Sequence, residues 1–253
     1  MGRIELSKRL SMVAGMVTDS KVVADIGCDH AYTSIYLVEN NLADKVIAMD
    51  VNKGPVEIAK KNIKLYNVEE QIDVRLSDGT AKLEEDEADT LLISGMGGAL
   101  IVKILAMRPD ILSKCKYLVL SPQSEIFLVR QYLENVGFQI IEEDMVKDEG
   151  KFYVGIKAKN TYKEVDLEAY KLVDNSSNIG NISVYDRFGK YLLDNKHPVL
   201  KEYLEHSLKQ YEEILANLKN AHFSKPSEAT AKRIDEVLTV IEDTKEGMKC
   251  YGM

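Results

Sequence analysis

The chain has 253 residues, 45% hydrophobic and 29% charged, enough for one large domain or one medium domain with an appendage. Its net charge is −8, with 20 Lys and Arg against 25 Asp and Glu up to residue 160 and 13 against 16 beyond it, so neither part grips nucleic acid through bulk charge. No apolar run approaches the roughly 18–20 residues of a membrane helix, and the start, Met1-Gly2-Arg3-Ile4-Glu5-Leu6, suits neither a signal peptide nor a myristoylation site. Three scattered cysteines, Cys28, Cys115 and Cys250, offer no disulfide framework and no zinc spacing. The expectation is a cytoplasmic protein with no membrane and no metal among its partners. Protein partners are left open.

In chain order, residues 3–19 read as an amphipathic helix, because Ile4, Leu6, Leu10, Val13, Ala14 and Val17 recur at helical spacing. Strand-like runs follow at 22–27, 46–51, 72–76, 90–95 and 117–121. They alternate with helix-like stretches near 31–40, 55–66, 98–112 and 124–136, the second opening on Pro55, which is favoured in a first turn. Such alternation makes a parallel sheet covered on both faces. Two further β-rich runs, Phe138–Met145 and Phe152–Lys157, have no helix between them and are joined by a hairpin loop over 147–151. Seven strands ending in an antiparallel pair predict an α/β, Rossmann-like class I methyltransferase fold; a plain nicotinamide-binding domain does not usually end so.

Past residue 160 the pattern changes. Residues 174–181 read as a polar loop. Leu204, Leu208, Tyr211, Leu215 and Leu218 then step by fours and threes, as do Ile234, Val237, Ile241, Thr244 and Met248. Between them Ser224-Lys225-Pro226-Ser227 can turn the chain and cap the second helix. The division expected is a catalytic domain over 1–160 and a coiled-coil-like α-helical hairpin domain over 161–253.

The chemistry concentrates at the strand ends. The first strand runs into a turn with one glycine, Gly27-Cys28-Asp29-His30-Ala31, and the second strand closes on Asp50. That is a nucleoside-binding arrangement: Gly27 lets a ligand approach the backbone, Asp50 accepts from ribose hydroxyls, and Val51 can pack on an adenine ring. The turn departs from G-x-G-x-x-G, with Asp29 and Tyr32 where the second and third glycines would stand. A carboxylate in place of a pyrophosphate cradle suits a phosphate-free, positively charged ligand such as S-adenosyl-L-methionine. Asp25, inside an apolar strand, is costly unless paired; it either helps hold the ammonium group or is a structural acid.

Further along, Asp78 can accept from the adenine amine beside Gly79, although Asp-Gly also reads as a plain turn. Ser94-Gly95-Met96-Gly97-Gly98 leads from strand four into a helix, and its glycines are expected to turn backbone N–H groups into the site. Met96 either touches the target base or fills space. Gln123, within Ser121-Pro122-Gln123-Ser124, could bond a base edge, and Ser124 could cap a helix. Asp29 and His30 are candidates to orient the target base or take a proton, and His30 has no neighbour to complete a metal site. Arg9, with Lys8, either meets the cofactor carboxylate or lies on a solvated helix face.

Taken together, Leu6-Ser7-Lys8-Arg9-Leu10, Asp25-Ile26-Gly27-Cys28-Asp29-His30-Ala31-Tyr32, Ser94-Gly95-Met96-Gly97-Gly98 and Ser121-Pro122-Gln123 resemble the bacterial tRNA (adenine-22-N1)-methyltransferase family over about residues 1–160. The helical hairpin is similar in kind to that family's C-terminal coiled-coil domain. The resemblance implies a class I enzyme that uses S-adenosyl-L-methionine to methylate N1 of an adenosine in the D-loop region of tRNA. The residues agree on one point: no Pro-Pro-aromatic loop follows strand four, which counts against an exocyclic amine as target. Attack by a ring lone pair needs alignment rather than a dedicated base, and the base must be unpaired or turned outward. The acidic chain would then need a local basic track for tRNA, for which Lys190, Lys196, Lys201, Lys209, Lys219, Lys225 and Lys232 on the hairpin are candidates.

Three competing readings differ in class. A methyltransferase acting on a small molecule or protein would not need a basic hairpin. A nicotinamide-dependent oxidoreductase lacks its glycines here. A non-enzymatic adaptor would have no use for the cofactor-side residues.

Overall fold

The structure, a computed structural model, describes residues 4–161, 182–224 and 226–253. The chain divides into two compact units, Met1–Ile179 and Gly180–Met253. The polar loop expected at 174–181, and Lys225, lie outside the described residues.

The first unit is built on one seven-stranded sheet. Its strands are β1 (Val22–Ile26), β2 (Lys45–Asp50), β3 (Ile72–Leu76), β4 (Thr90–Ser94), β5 (Tyr117–Ser121), β6 (Phe138–Asp148) and β7 (Lys151–Asn160), in the order β3-β2-β1-β4-β5-β7-β6. The first five run parallel, and β7 inserts antiparallel between β5 and β6. Among the described residues its helices are α1 (Lys8–Gly15), α2 (Tyr32–Glu39), α3 (Lys53–Tyr66), α4 (Gly98–Met107), α5 (Pro109–Lys114) and α6 (Ile126–Asn135). Val23, Ala24, Ala48, Leu91, Leu92, Ile93, Leu118 and Val119 are all buried, the near-continuous apolar runs of strands covered on both faces. Strand order reverses between β1 and β4, and in open α/β sheets ligands bind outside the carboxyl ends of the strands at that point.

Several boundaries differ from the sequence expectation, each for a local reason. Helix α1 begins only at Lys8, where Ser7 Oγ accepts from Leu10 N at 3.4 Å and caps it. Ile4 and Val17 are buried without being helical. The single helix expected over 98–112 is two, because Arg108 is extended (φ −133°, ψ 79°), the conformation that a following proline imposes. The β6–β7 hairpin is tighter than a five-residue loop: it turns on Glu149 (φ 48°) and Gly150 (φ 81°), the left-handed pair of a type I′ turn. Ser124 is not the cap of α6, which starts after Glu125 in a left-handed conformation (φ 49°).

The glycines after β4 serve packing. A Cβ on Gly98 would stand 2.4 Å from the Glu125 carbonyl oxygen and 2.7 Å from that of Ser124. The two loops are joined by backbone bonds: Gly95 N donates to Ser121 O (3.1 Å), Gln123 N to Met96 O (2.9 Å) and Gly98 N to Ser124 O (2.9 Å). The N–H groups of Gly95 and Gly98 are therefore taken by Ser121, at the end of β5, and by Ser124 beyond it rather than turned into a ligand site, which corrects the expectation at those two glycines.

The second unit contains α7 (Val184–Phe188), α8 (Lys190–Asp194), α9 (Pro198–Ser224) and α10 (Glu228–Lys249). Ser227 caps α10 by accepting from Thr230 N at 3.1 Å. The long helices pack as an antiparallel pair, with Leu204, Val237, Ile241 and Thr244 buried on the seam. Leu208, Tyr211, Leu215, Leu218, Ile234 and Met248 are only half-buried. The seam also holds Gly247, where a Cβ would come within 3.1 Å of the Phe188 ring, so α7 supplies cover that the heptad pattern did not foresee.

Gly98→Ala is expected to destabilise the fold by about 1–3 kcal/mol or more, the range for overpacking against backbone. Gly54→Ala, in α3 with nothing within 4 Å of the new methyl, should be neutral or stabilising by up to about 1 kcal/mol. Urea denaturation of the two variants checks both, and equal stability would contradict the packing role.

Candidate active site

A cleft of about 520 Å³ opens at the carboxyl ends of β1, β2, β3 and β4, within the usual range for a small-molecule site. It is lined by Arg9, Asp25, Gly27, Asp29, His30, Asp50, Val51, Asp78, Gly79, Ser94, Gly95 and Met96, so the candidates named from the sequence meet in one place. Gln123 lines it too; Lys8, Ser121 and Ser124 are not among the lining residues. Its apolar walls include Leu10, Ile26, Leu92, Leu100 and Ile104. Leu100 and Ile104 were not foreseen. Their four-residue spacing immediately after the glycine loop places both on one helix face, and that signal was available.

Asp25 is 3% exposed and accepts a 2.6 Å hydrogen bond from Ser34 Oγ on α2, a partner the sequence did not reveal. Burial pushes its pKa up to about 6; the Ser34 bond opposes the shift and the neighbouring Asp50 adds to it. No cation contributes to that balance. Asp50 lies beside it, its Oδ1 accepting from Asn52 N at 2.8 Å and its Oδ2 from Asp29 N at 3.3 Å. Those bonds fix the carboxylate at the strand end while leaving acceptor capacity.

The turn between β1 and α2 is held from below, where Gly27 N and Cys28 N both donate to Met49 O, at 2.8 and 2.9 Å. Gly27 (φ 76°), Asp29 (φ 51°) and Ala31 (φ 61°) are all left-handed. Such backbone costs of order 1 kcal/mol or more at each non-glycine residue and collects at ligand sites. The Met96 methyl group lies over Gly27, 2.2 Å from where a Cβ would stand, so Met96 rests on the glycine turn. Asp29 Oδ1 is 3.5 Å from His30 Nε2 at the exposed mouth, and the His30 ring meets Tyr32 edge-on at 6.0 Å. His30 is tied to α3 through its carbonyl, which accepts from Asn62 Nδ2 at 2.9 Å.

Arg9 lines the cleft with its guanidinium 3.4 Å from Ser94 Oγ and 5.3 Å from the centre of the Tyr153 ring. The β3 turn is internally braced: Ser77 Oγ donates to Gly79 O (3.0 Å) and accepts from Lys82 N (3.1 Å). Asp78 is exposed on that turn. Cys28 is no nucleophile, because burial and the carboxylates of Asp25, Asp50 and Asp29 push its thiol far up, leaving it protonated. Among the described residues no group of three or more His, Cys, Asp or Glu could hold a metal ion, and no helix is long and apolar enough to cross a membrane. In the second unit Lys190 pairs with Asp194 (2.5 Å) and Lys201 lies 3.9 Å from Glu205, so two candidate track lysines face acids.

Residues 6–156 match the methyltransferase domain family. A Bacillus subtilis protein named tRNA (adenine(22)-N(1))-methyltransferase is 33% identical over 223 residues, spanning 85% of this chain and 87% of that one. The chain belongs to the tRNA (adenine(22)-N(1))-methyltransferase family. Solved structures agree. The crystal structure of the B. subtilis m1A22 tRNA methyltransferase superposes with a TM-score of 0.80 at 29% identity, covering 96% of this chain and 99% of that one. A Streptococcus pneumoniae putative tRNA (m1A22) methyltransferase in complex with S-adenosyl-L-methionine superposes with a TM-score of 0.75 at 28% identity, covering 96% of this chain and all of that one.

Because its folded pKa of about 6 lies above the ordinary 3.8, Asp25 favours folding most below pH 4 and loses that contribution as pH rises to 6. Ionised and buried above pH 6, it should cost up to about 3 kcal/mol. Asp25→Asn keeps an acceptor for Ser34, so it should raise stability at pH 8 and lose that advantage by pH 4. Thermal melts across this range check the sign; a variant less stable at pH 8 would contradict it.

Proposed function

We propose that this chain transfers the methyl group of S-adenosyl-L-methionine to ring N1 of adenosine 22 of tRNA. The carrying observation is that, among the described residues, the cleft of a chain in this family holds four carboxylates and a single guanidinium, with a buried acid that no cation neutralises. S-adenosyl-L-methionine supplies an electrophilic methyl on a cationic sulfur, together with an ammonium group. That chemistry fits a site where Asp25 has no positive partner among the described residues and where Met96, rather than a ligand, lies over the Gly27 turn.

In this reading Asp50 takes the ribose hydroxyls, Val51 packs on the adenine, and Asp78 beside Gly79 accepts from its amine. Asp25 and the Gly27 turn face the ammonium end, and Arg9, next to Ser94 and Gly95, takes the carboxylate. The target adenine enters at the mouth, between Met96 and the Asp29–His30 pair. As its N1 lone pair forms the new N–C bond, the S–C bond breaks and the positive charge passes to the base. Asp29 and His30 orient the ring and stand ready to accept the amine proton that the cationic product can release. Exclusion of water and alignment of the lone pair supply most of the rate. Residues 1–160 carry the chemistry, and the unit holding α7 to α10 is a helical accessory domain; a tRNA substrate makes the cytoplasm the working location. The names of the relatives favour tRNA over a small-molecule or protein substrate.

Incubation with labelled S-adenosyl-L-methionine and unmodified bacterial tRNA should give one N1-methyladenosine, at position 22, and none when that position is guanosine. Label elsewhere in the tRNA, or only in other molecules, would contradict the assignment. Asp29→Ala should lower turnover at saturating cofactor by about ten- to a hundredfold, at or below the usual range for proton-handling groups; unchanged turnover would dismiss its role.

A further inference from the structure

We infer that the exposed face of α3 is the surface on which the tRNA backbone rests while its adenosine occupies the cleft. This rests on the tRNA reading above and adds where the phosphates go. The cleft is ill suited to hold them itself, since Asp25, Asp29, Asp50 and Asp78 outnumber Arg9 among its described lining residues. The nucleoside must enter base-first, and its phosphates need cations just outside the rim.

Helix α3 starts at that rim, where Asn52 and Pro55 line the cleft. Along it Lys53, Lys60, Lys61 and Lys64 are all exposed, accompanied by one acid, Glu57. Set aside these five and residues 1–160 carry 16 basic against 24 acidic side chains, so the helix is a basic island in an acidic unit. At 3.6 residues per turn the four lysines fall within an arc of roughly 100°, and from Lys53 to Lys64 they extend about 16 Å. Val56, Ala59 and Ile63 occupy the opposite, buried face, so the lysines cannot turn inward. Glu57 lies 3.3 Å from Lys60, an exposed pair worth little in water that leaves Lys53, Lys61 and Lys64 outside it. Leu65 (55% exposed) and Ile58 (38%) flank the stripe, apolar surface of the kind that ribose and base edges cover. A polyanion with sugar faces, held by several lysines at once, is the partner this combination fits.

The test is the triple variant Lys60→Gln, Lys61→Gln, Lys64→Gln in the full chain; Gln matches Lys in helix propensity, so α3 should stay folded. The expected result is unchanged thermal stability and unchanged S-adenosylhomocysteine affinity. The KM for tRNA should rise tenfold or more with kcat largely retained, and the salt dependence of tRNA affinity should become shallower by about two to three powers of salt concentration. The corresponding triple Lys→Arg variant should restore the wild-type KM. Wild-type methylation of tRNA with an unaltered KM and salt slope in the Gln variant would overturn the surface alone. Anionic lipid vesicles that bind the wild type and not the variant, with tRNA kinetics unmoved, would assign the face to a membrane and overturn it too. A wild-type protein that methylates no tRNA would overturn the functional reading first.

Discussion

A carboxylate buried at the end of the first strand, with only a serine hydroxyl to bond it, is the constraint around which this catalytic unit is organised. Asp25 sits in the low-dielectric interior of a parallel sheet, beside a second acid and, among the described residues, with no positive partner. Left alone it is a cost to folding, since burial of an unpaired charge is among the most expensive placements a side chain can have. A cationic ligand held there would remove that cost and would link cofactor binding to stability through one group. The strained turn above it acts in the same direction. Left-handed backbone at Gly27, Asp29 and Ala31 is of the kind that collects at ligand sites, and at Gly27 it makes room for the Met96 methyl group.

The sheet explains why these groups converge. Apart from Arg9 on α1 and Gln123 after β5, the cleft's candidate residues come from the carboxyl ends of four parallel strands: Asp25 and the Gly27 turn at β1, Asp50 at the end of β2, Asp78 after β3 and Ser94-Gly95-Met96 at β4. The reversal of strand order between β1 and β4 opens the space. The glycine-rich loop after β4 contributes by being thin: Gly98 allows the start of α4 to lie against the backbone of Ser124 and Glu125. The antiparallel β7–β6 pair closes the far side and brings Tyr153 beneath the Arg9 guanidinium, steadying it without neutralising it.

Much of this was legible in the residues because the signals were local. The strand runs, the glycine turn at Gly27, the acids at Asp50 and Asp78 and the missing pyrophosphate glycines all sit in short windows where residue type dictates conformation. What was not legible depends on distant contacts. Ser34 as the partner of Asp25 requires knowing how α2 returns over β1. The capture of the Gly95 and Gly98 N–H groups by the loop after β5 requires the β4–β5 register. The broken helix at Arg108 was readable from Pro109 but lay within a continuous apolar pattern that favoured one long helix. On α9 and α10 the heptad steps located the seam and could not say that Gly247 would receive Phe188 from a short helix outside the pattern.

The chemistry of the cleft requires complementarity to a phosphate-free adenosine derivative that carries an ammonium group. Isothermal titration of the purified protein with S-adenosylhomocysteine and, separately, with NADH at pH 7.5 tests that complementarity directly. The expected result is saturable one-to-one binding of S-adenosylhomocysteine, whose ammonium group would meet the acids, and no measurable heat with NADH, whose pyrophosphate would face them. Tight binding of NADH with indifference to S-adenosylhomocysteine would contradict it.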